Sequence, residues 1–190
     1  MKKLLLLLIL SINCMFAFAD NAELSKHATA FYSDNNTLRT MDMLLQINEK
    51  DRTAQDWLLL GNVLSDNDKP EDAVFMYKKA IEKDKKCYRA FYNLGNYYME
   101  RGQFNLAAEN YLKATKIKGD NPYIFYNLGC AYLKQENLSQ ARANFNKAIM
   151  YNPNVPEFHY NLAYVYKKLN KDKMAQTYLD NYNKLENNSL

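Results

Sequence analysis

Every 34 residues the chain returns to the same pattern. Trp57, Phe91, Phe125 and His159 fall in step, as do Leu60, Leu94, Leu128 and Leu162. Directly after the leucines come Gly61, Gly95, Gly129 and Ala163, and three residues on come Leu64, Tyr98, Tyr132 and Tyr166. Farther along stand Ala73, Ala107, Ala141 and Ala175, then Tyr77, Tyr111, Phe145 and Leu179, then Ala80, Ala114 and Ala148. A period of this length marks stacked supersecondary units, each too small to bury its apolar face alone.

Within a unit, the aromatic, Leu and Tyr positions are three and four residues apart. That spacing draws one apolar stripe on a first helix, and the Ala, aromatic and Ala positions draw another on a second. Two antiparallel helices result. The small pair, Gly61 with Ala73 and its equivalents, is expected to let their backbones approach closely, with large aromatics filling the space on either side. Breaks at Asp66 to Pro70, Glu100 to Gly102, Lys134 to Asn137 and Lys168 to Lys171 separate the helices of a pair. Asn121-Pro122 and Asn152 to Pro156 separate the units, because a residue before proline is pushed out of helical geometry.

The order aromatic, Leu-Gly, Tyr, Ala, aromatic, Ala and a late Pro resembles the tetratricopeptide repeat family over about residues 54 to 187. The resemblance implies an all-α fold, a right-handed superhelical solenoid of antiparallel helix pairs. The expected divisions are a signal peptide over 1–19, a degenerate helix pair over 20–53, and repeats over 54–87, 88–121, 122–155 and 156–190. In the region before the repeats, Glu23 to Tyr32 reads as one helix. Leu38, Met41, Leu44, Leu45 and Ile47 are spaced as the apolar face of another, expected to cover the first clear repeat. The last repeat departs from the pattern at His159, Ala163 and Tyr182. A solenoid end has no following neighbour, and the final helix, about Asp172 to Glu186, is expected to be the cap itself or to be covered by a partner.

Lys2 and Lys3, an apolar run from Leu4 to Leu10 and an Ala17-Phe18-Ala19 ending have the layout of a secretory signal, with cleavage expected before Asp20. A membrane anchor is the rival reading, but the run is short and carries Ser11 and Asn13. A lipid-modified Cys14 is a third reading, which would attach the otherwise exported chain to a membrane. The abundance of Lys, Asn, Ile and Tyr suggests an AT-rich bacterial genome, and export from such a cell leads to the periplasm. Cleavage leaves 23 basic residues against 21 acidic ones, so the formal charge falls from +4 to +2 with no basic stripe for nucleic acid. Cys87 precedes a first helix while Cys130 lies nine residues into the next unit, an axial offset of roughly 13 Å, too long for a disulfide. His27 and His159 have no metal-ligand spacing around them, and no phosphate loop or nucleophile elbow is present. The chain is therefore expected to be no enzyme and to need neither cofactor nor metal.

What remains is the surface that stacked helix pairs create, with the first helices lining a concave groove. Positions 2, 5, 6, 9 and 12 of each unit are expected to face it. They are Gln55, Leu58, Leu59, Asn62 and Ser65, then Arg89, Tyr92, Asn93, Asn96 and Met99. The third unit supplies Tyr123, Tyr126, Asn127, Cys130 and Leu133, and the fourth Glu157, Tyr160, Asn161, Tyr164 and Lys167. Asn93, Asn127 and Asn161 recur one unit apart. Such a ladder suits either the backbone of an extended peptide or the tying of neighbouring helices. The tyrosines offer broad contact area with little rotamer entropy to lose, or else serve as packing between repeats. A carboxylate clamp of the kind known in the resembled family needs basic residues where this chain has Leu58, Tyr92, Tyr123 and Glu157, so it is not expected. The function that follows is capture of a protein or peptide partner in the groove by an exported scaffold. The second reading is a self-associating subunit or lipoprotein of an envelope assembly.

Overall fold

The turn inside each helix pair is the same object used repeatedly. Asp68, Gly102, Glu136 and Asn170, spaced by the repeat length, have φ of 55°, 69°, 58° and 56°. The next N–H reaches back five residues: Lys69 to the Leu64 carbonyl at 2.9 Å, Gln103 to Tyr98 at 2.8 Å, Asn137 to Tyr132 at 2.9 Å and Lys171 to Tyr166 at 3.0 Å. This is the Schellman closure, which satisfies carbonyls left over at a helix end. A left-handed residue is costly for anything but glycine, by about 1–2 kcal/mol. Glu136→Gly, which copies Gly102, is accordingly expected to raise stability by about 0.5–1 kcal/mol in urea unfolding.

The computed structural model describes residues 21–187, so the expected leader, with Cys14, lies outside the described residues. Among the described residues there are ten α-helices and no strand. The chain divides after Lys85 into two compact units. The first holds α1 (21–33), α2 (Thr37–Gln46), a short 3-10 turn (Glu49–Asp51), α3 (Ala54–Asp66) and α4 (Pro70–Lys83). The second holds α5 (Tyr88–Glu100), α6 (Phe104–Ile117), α7 (Pro122–Lys134), α8 (Leu138–Tyr151), α9 (Pro156–Lys168) and α10 (Asp172–Asn187).

In the first unit α3 starts on a capping box: Asp56 N–H donates to Thr53 Oγ1 at 3.2 Å and Thr53 N–H donates to Asp56 Oδ2 at 2.8 Å. The α1–α2 turn repeats the device of the later pairs, with Asn35 at φ 57° and Asn36 N–H on the Phe31 carbonyl at 2.8 Å. The expected apolar face of α2 needs correction. Leu44 and Ile47 are buried together with Thr40, whereas Leu38 and Leu45 are 83% and 58% exposed. At 100° per residue, positions 38 and 45 fall on the side opposite 40, 44 and 47. α2 packs against α3, and Leu58 and Leu59 of α3 are core residues, contrary to their expected place in the groove.

Tyr32 ties α1 to the end of α3, its hydroxyl donating to Asp66 Oδ2 at 2.9 Å. Burial and then this bond push the phenol from 10.0 up to about 12. Burial also raises Tyr111, Tyr126 and Tyr178. A folded pKa above the unfolded one means that the contribution is full below the unfolded value and is lost as pH climbs through the folded one. The melting temperature is thus expected to fall as pH rises past about 10, and Tyr111→Phe to flatten that fall in circular dichroism melts.

The glycines have a specific neighbour in the second helix. A Cβ on Gly61 would lie 2.4 Å from Tyr77 Cε1, one on Gly95 2.4 Å from Tyr111 Cε1, and one on Gly129 2.7 Å from Phe145 Cε1. Each glycine makes room for the second helix's aromatic ring. The last repeat has Ala163 facing the smaller Leu179, and both border one cavity. His159 fills its core position as a ring: it is 6% exposed, with Nε2 2.7 Å from the Pro153 carbonyl, so Nε2 carries the proton and donates. On α10 only Ala175 is buried. Gln176, Asp180 and Asn183, on its forward face, are exposed and polar.

Candidate partner-binding groove

In the second unit the first helices α5, α7 and α9 form one wall, held by a recurring polar bridge. Asn127 Nδ2 donates to Tyr92 Oη at 2.9 Å and to Asn96 Oδ1 at 3.2 Å. One repeat on, Asn161 Nδ2 donates to Tyr126 Oη at 2.7 Å and lies 4.0 Å from Cys130 Sγ. The same oxygen of Asn96 also accepts from Tyr111 Oη at 2.7 Å, which occupies both its lone pairs. In the first unit Tyr77 Oη donates to Asn62 Oδ1 at 3.2 Å.

These bridges account for the residue at position 9. Where the second helix supplies Tyr77 or Tyr111, a buried hydroxyl needs an acceptor, and position 9 is Asn62 or Asn96. Where it supplies Phe145, no acceptor is needed and position 9 is Cys130. Burial pushes the Cys130 thiol up to about 11, which keeps it protonated and unreactive at neutral pH. No disulfide joins it to Cys87.

The expected groove residues therefore divide. Tyr92 and Tyr126 are half-buried, Tyr92 tilted on Tyr111 at 5.8 Å and Tyr126 on Phe145 at 5.8 Å and Phe158 at 4.9 Å. With Asn96, Asn127 and Asn161 they join neighbouring helices, and Asn93 is half-buried beside them. Asn127→Ala is expected to lower stability by about 1–2 kcal/mol in urea unfolding, since Tyr92 Oη and Asn96 Oδ1 both lose a donor. By contrast Tyr123, Tyr160 and Tyr164 are 49%, 52% and 44% exposed. Arg89 is exposed too, its Nε donating to Tyr88 Oη at 3.3 Å.

Two cavities flank the Tyr160–Tyr164 edge of α9. One of about 660 Å³ runs toward α7 and is bordered by Cys130, Leu133, Lys134 and Asn161. The other, about 370 Å³, runs toward α10 and is bordered by Ala163, Gln176 and Leu179. The α10 side was missed in reading the sequence, where only first helices were assigned to the groove. Its signal was Leu179, too short to fill the place that Tyr111 and Phe145 take in their repeats. Among the described residues no three His, Cys, Asp or Glu side chains gather as metal ligands. No described helix is long and apolar enough to cross a membrane.

Stacked helix pairs with a tyrosine-edged wall define a helical-repeat, protein-binding class. The chain belongs to the tetratricopeptide repeat family: the family model described as Tetratricopeptide repeat protein 21 C-terminal ARM domain matches residues 10–161, and a tetratricopeptide repeat model matches 156–189. No curated protein matches it in sequence. Among solved structures it is similar to MamA of Desulfovibrio magneticus RS-1, with TM-score 0.78, 16% identity, and 89% of this chain and 96% of that chain covered. MamA of MSR-1 gives TM-score 0.75 and 18% identity over 90% of this chain and 98% of that one. For pilF of Pseudomonas aeruginosa the TM-score is 0.75 and the identity 22%, over 88% of this chain and 77% of that one. At these identities the likeness concerns the fold.

Proposed function

We propose that this protein is a non-enzymatic scaffold that holds a partner polypeptide against the α5–α7–α9 wall of its second unit, in the bacterial cell envelope. The observation that carries this reading is the exposure of Tyr123, Tyr160 and Tyr164 on one helix wall beside two open cavities. Tyrosine supplies large, stiff contact area at interfaces. The asparagine ladder holds the wall in shape, with Asn127 and Asn161 orienting the hydroxyls of Tyr92 and Tyr126.

Photo-crosslinking tests the groove. A photoreactive residue in place of Tyr123 or Tyr164 is expected to give adducts with another polypeptide in the envelope fraction. The same residue in place of Leu112, exposed on the second helix α6, is expected to give none. Adducts only from Leu112 would move the binding surface to the second helices, and adducts between copies of the chain would favour the self-associating reading. Export rests on the layout of residues 1–19, and intact mass of the purified envelope protein checks it. The expected chain starts at Asp20, whereas a lipid-bearing Cys14 would replace the periplasmic reading with a membrane-attached one.

A further inference from the structure

We propose that the Tyr160–Tyr164 edge receives a proline-rich segment in polyproline II conformation, followed by acidic residues. This rests on the groove reading above and names the chemistry of the partner. Tyr160 and Tyr164 are four residues apart on α9 and so stand side by side as a ridge. Each borders both cavities, so the ridge has a hollow on either side. Their rings are propped from the flanks: Tyr182 lies 5.3 Å from Tyr160, and Lys168 Nζ sits 5.6 Å from the centre of Tyr164. Leu133 and Leu179 add apolar surface, one in each hollow.

Three features of this surface select the ligand. First, flat rings beside hollows that each carry a leucine suit pyrrolidine rings, and aromatic-lined grooves are the recurring receptor of polyproline II segments. Second, what the ridge adds in polar chemistry is phenol O–H. The amide donors of Asn127 and Asn161 already bond Tyr92 and Tyr126, and both lone pairs of Asn96 Oδ1 are taken. A proline chain offers carbonyls to such donors and has no N–H to leave unpaired, and its extended helix forms without internal bonds at low entropic cost. Third, the larger hollow carries Lys134 and Lys168 against Glu136 alone, while Lys167 is paired with Asp172 at 2.8 Å. The surplus is positive, which places acidic residues beside the prolines.

The test uses the full chain and a fluorescein-labelled oligoproline peptide ending in glutamates, read by anisotropy. A comparison peptide has alternate prolines replaced by alanine, which restores N–H groups and flexibility. The oligoproline peptide is expected to bind saturably and more tightly than the comparison. Tyr160→Ala and Tyr164→Ala are each expected to weaken it about tenfold or more, with helical content unchanged by circular dichroism. Tyr160→Phe keeps the ring and removes only the donor, and is expected to weaken binding by about threefold to tenfold. Equal affinity for the two peptides, or unchanged binding in Tyr160→Ala, overturns the proposal. Crosslinks from Tyr123 to a partner without oligoproline binding would overturn it while leaving the groove reading standing. Absence of groove crosslinks and of oligoproline binding would remove both.

Discussion

Phe145→Ala is expected to lower the unfolding free energy by about 3–5 kcal/mol, the largest effect of any single truncation considered for the second unit. The ring is fully buried. It packs with Ala141, Leu162, Val165 and Tyr166, and with the half-buried Tyr126 and Leu133. It also lies directly over the backbone of Gly129, at a distance that leaves no space for a methyl group. Removing the ring therefore opens a hole between α7, α8 and α9 that a helical backbone cannot collapse to fill. A domain of this size has only about 5–15 kcal/mol in total. In a repeat array each unit is stabilised by its neighbours, so the loss spreads to the adjoining pairs. Phe75→Ala is the comparison: that ring is 54% exposed, and its loss is expected to stay within about 0.5 kcal/mol. Urea unfolding followed by circular dichroism measures both. A loss below about 1 kcal/mol for Phe145→Ala would mean that the ring does not organise the core as its burial indicates. Because Tyr126 rests on Phe145 at 5.8 Å, the same variant is also expected to weaken groove binding.

The helix pairs of residues 54–187 are legible because their physics is local. Apolar spacing places the stripes, and prolines at Pro70, Pro122 and Pro156 open helices at the first turn. The pair α1–α2 is harder to see for a simple reason. Its left-handed residue, Asn35, stands 33 residues before Asp68, one short of the repeat, although the closing bond from Asn36 to Phe31 is the same. A shift of one residue destroys the alignment while leaving the turn chemistry intact. The face of α2 was misread for a different reason, since Leu38 and Leu45 are apolar but outward, and apolar residues on a surface are common. For the groove, helix position alone could not separate Tyr92 and Tyr126 from Tyr123, Tyr160 and Tyr164. That separation depends on which hydroxyls meet an asparagine from the first helix of the next repeat, a property of pairs 35 residues apart.

Gly129→Ala is expected to change sign with its neighbour. In the natural chain the new Cβ would lie 2.7 Å from Phe145 Cε1 and 2.8 Å from Cδ1. Tyr126 and the buried core residues leave that ring no way to retreat. Overpacking of this kind costs about 1–3 kcal/mol, which exceeds the gain of about 0.5–1 kcal/mol from replacing a helical glycine. With Phe145→Leu already in place the ring is gone, and only the helical gain remains. The last repeat has this arrangement in nature, Ala163 with Leu179. The double variant Gly129→Ala, Phe145→Leu is therefore expected to be more stable than the sum of its single variants by about 1–3 kcal/mol in a double-mutant cycle. Additive single effects would show that glycine stands there for its backbone freedom. A coupling of the expected size would show that glycine and aromatic are one packing unit, and that the open hollow beside Leu179 follows from changing both of its halves.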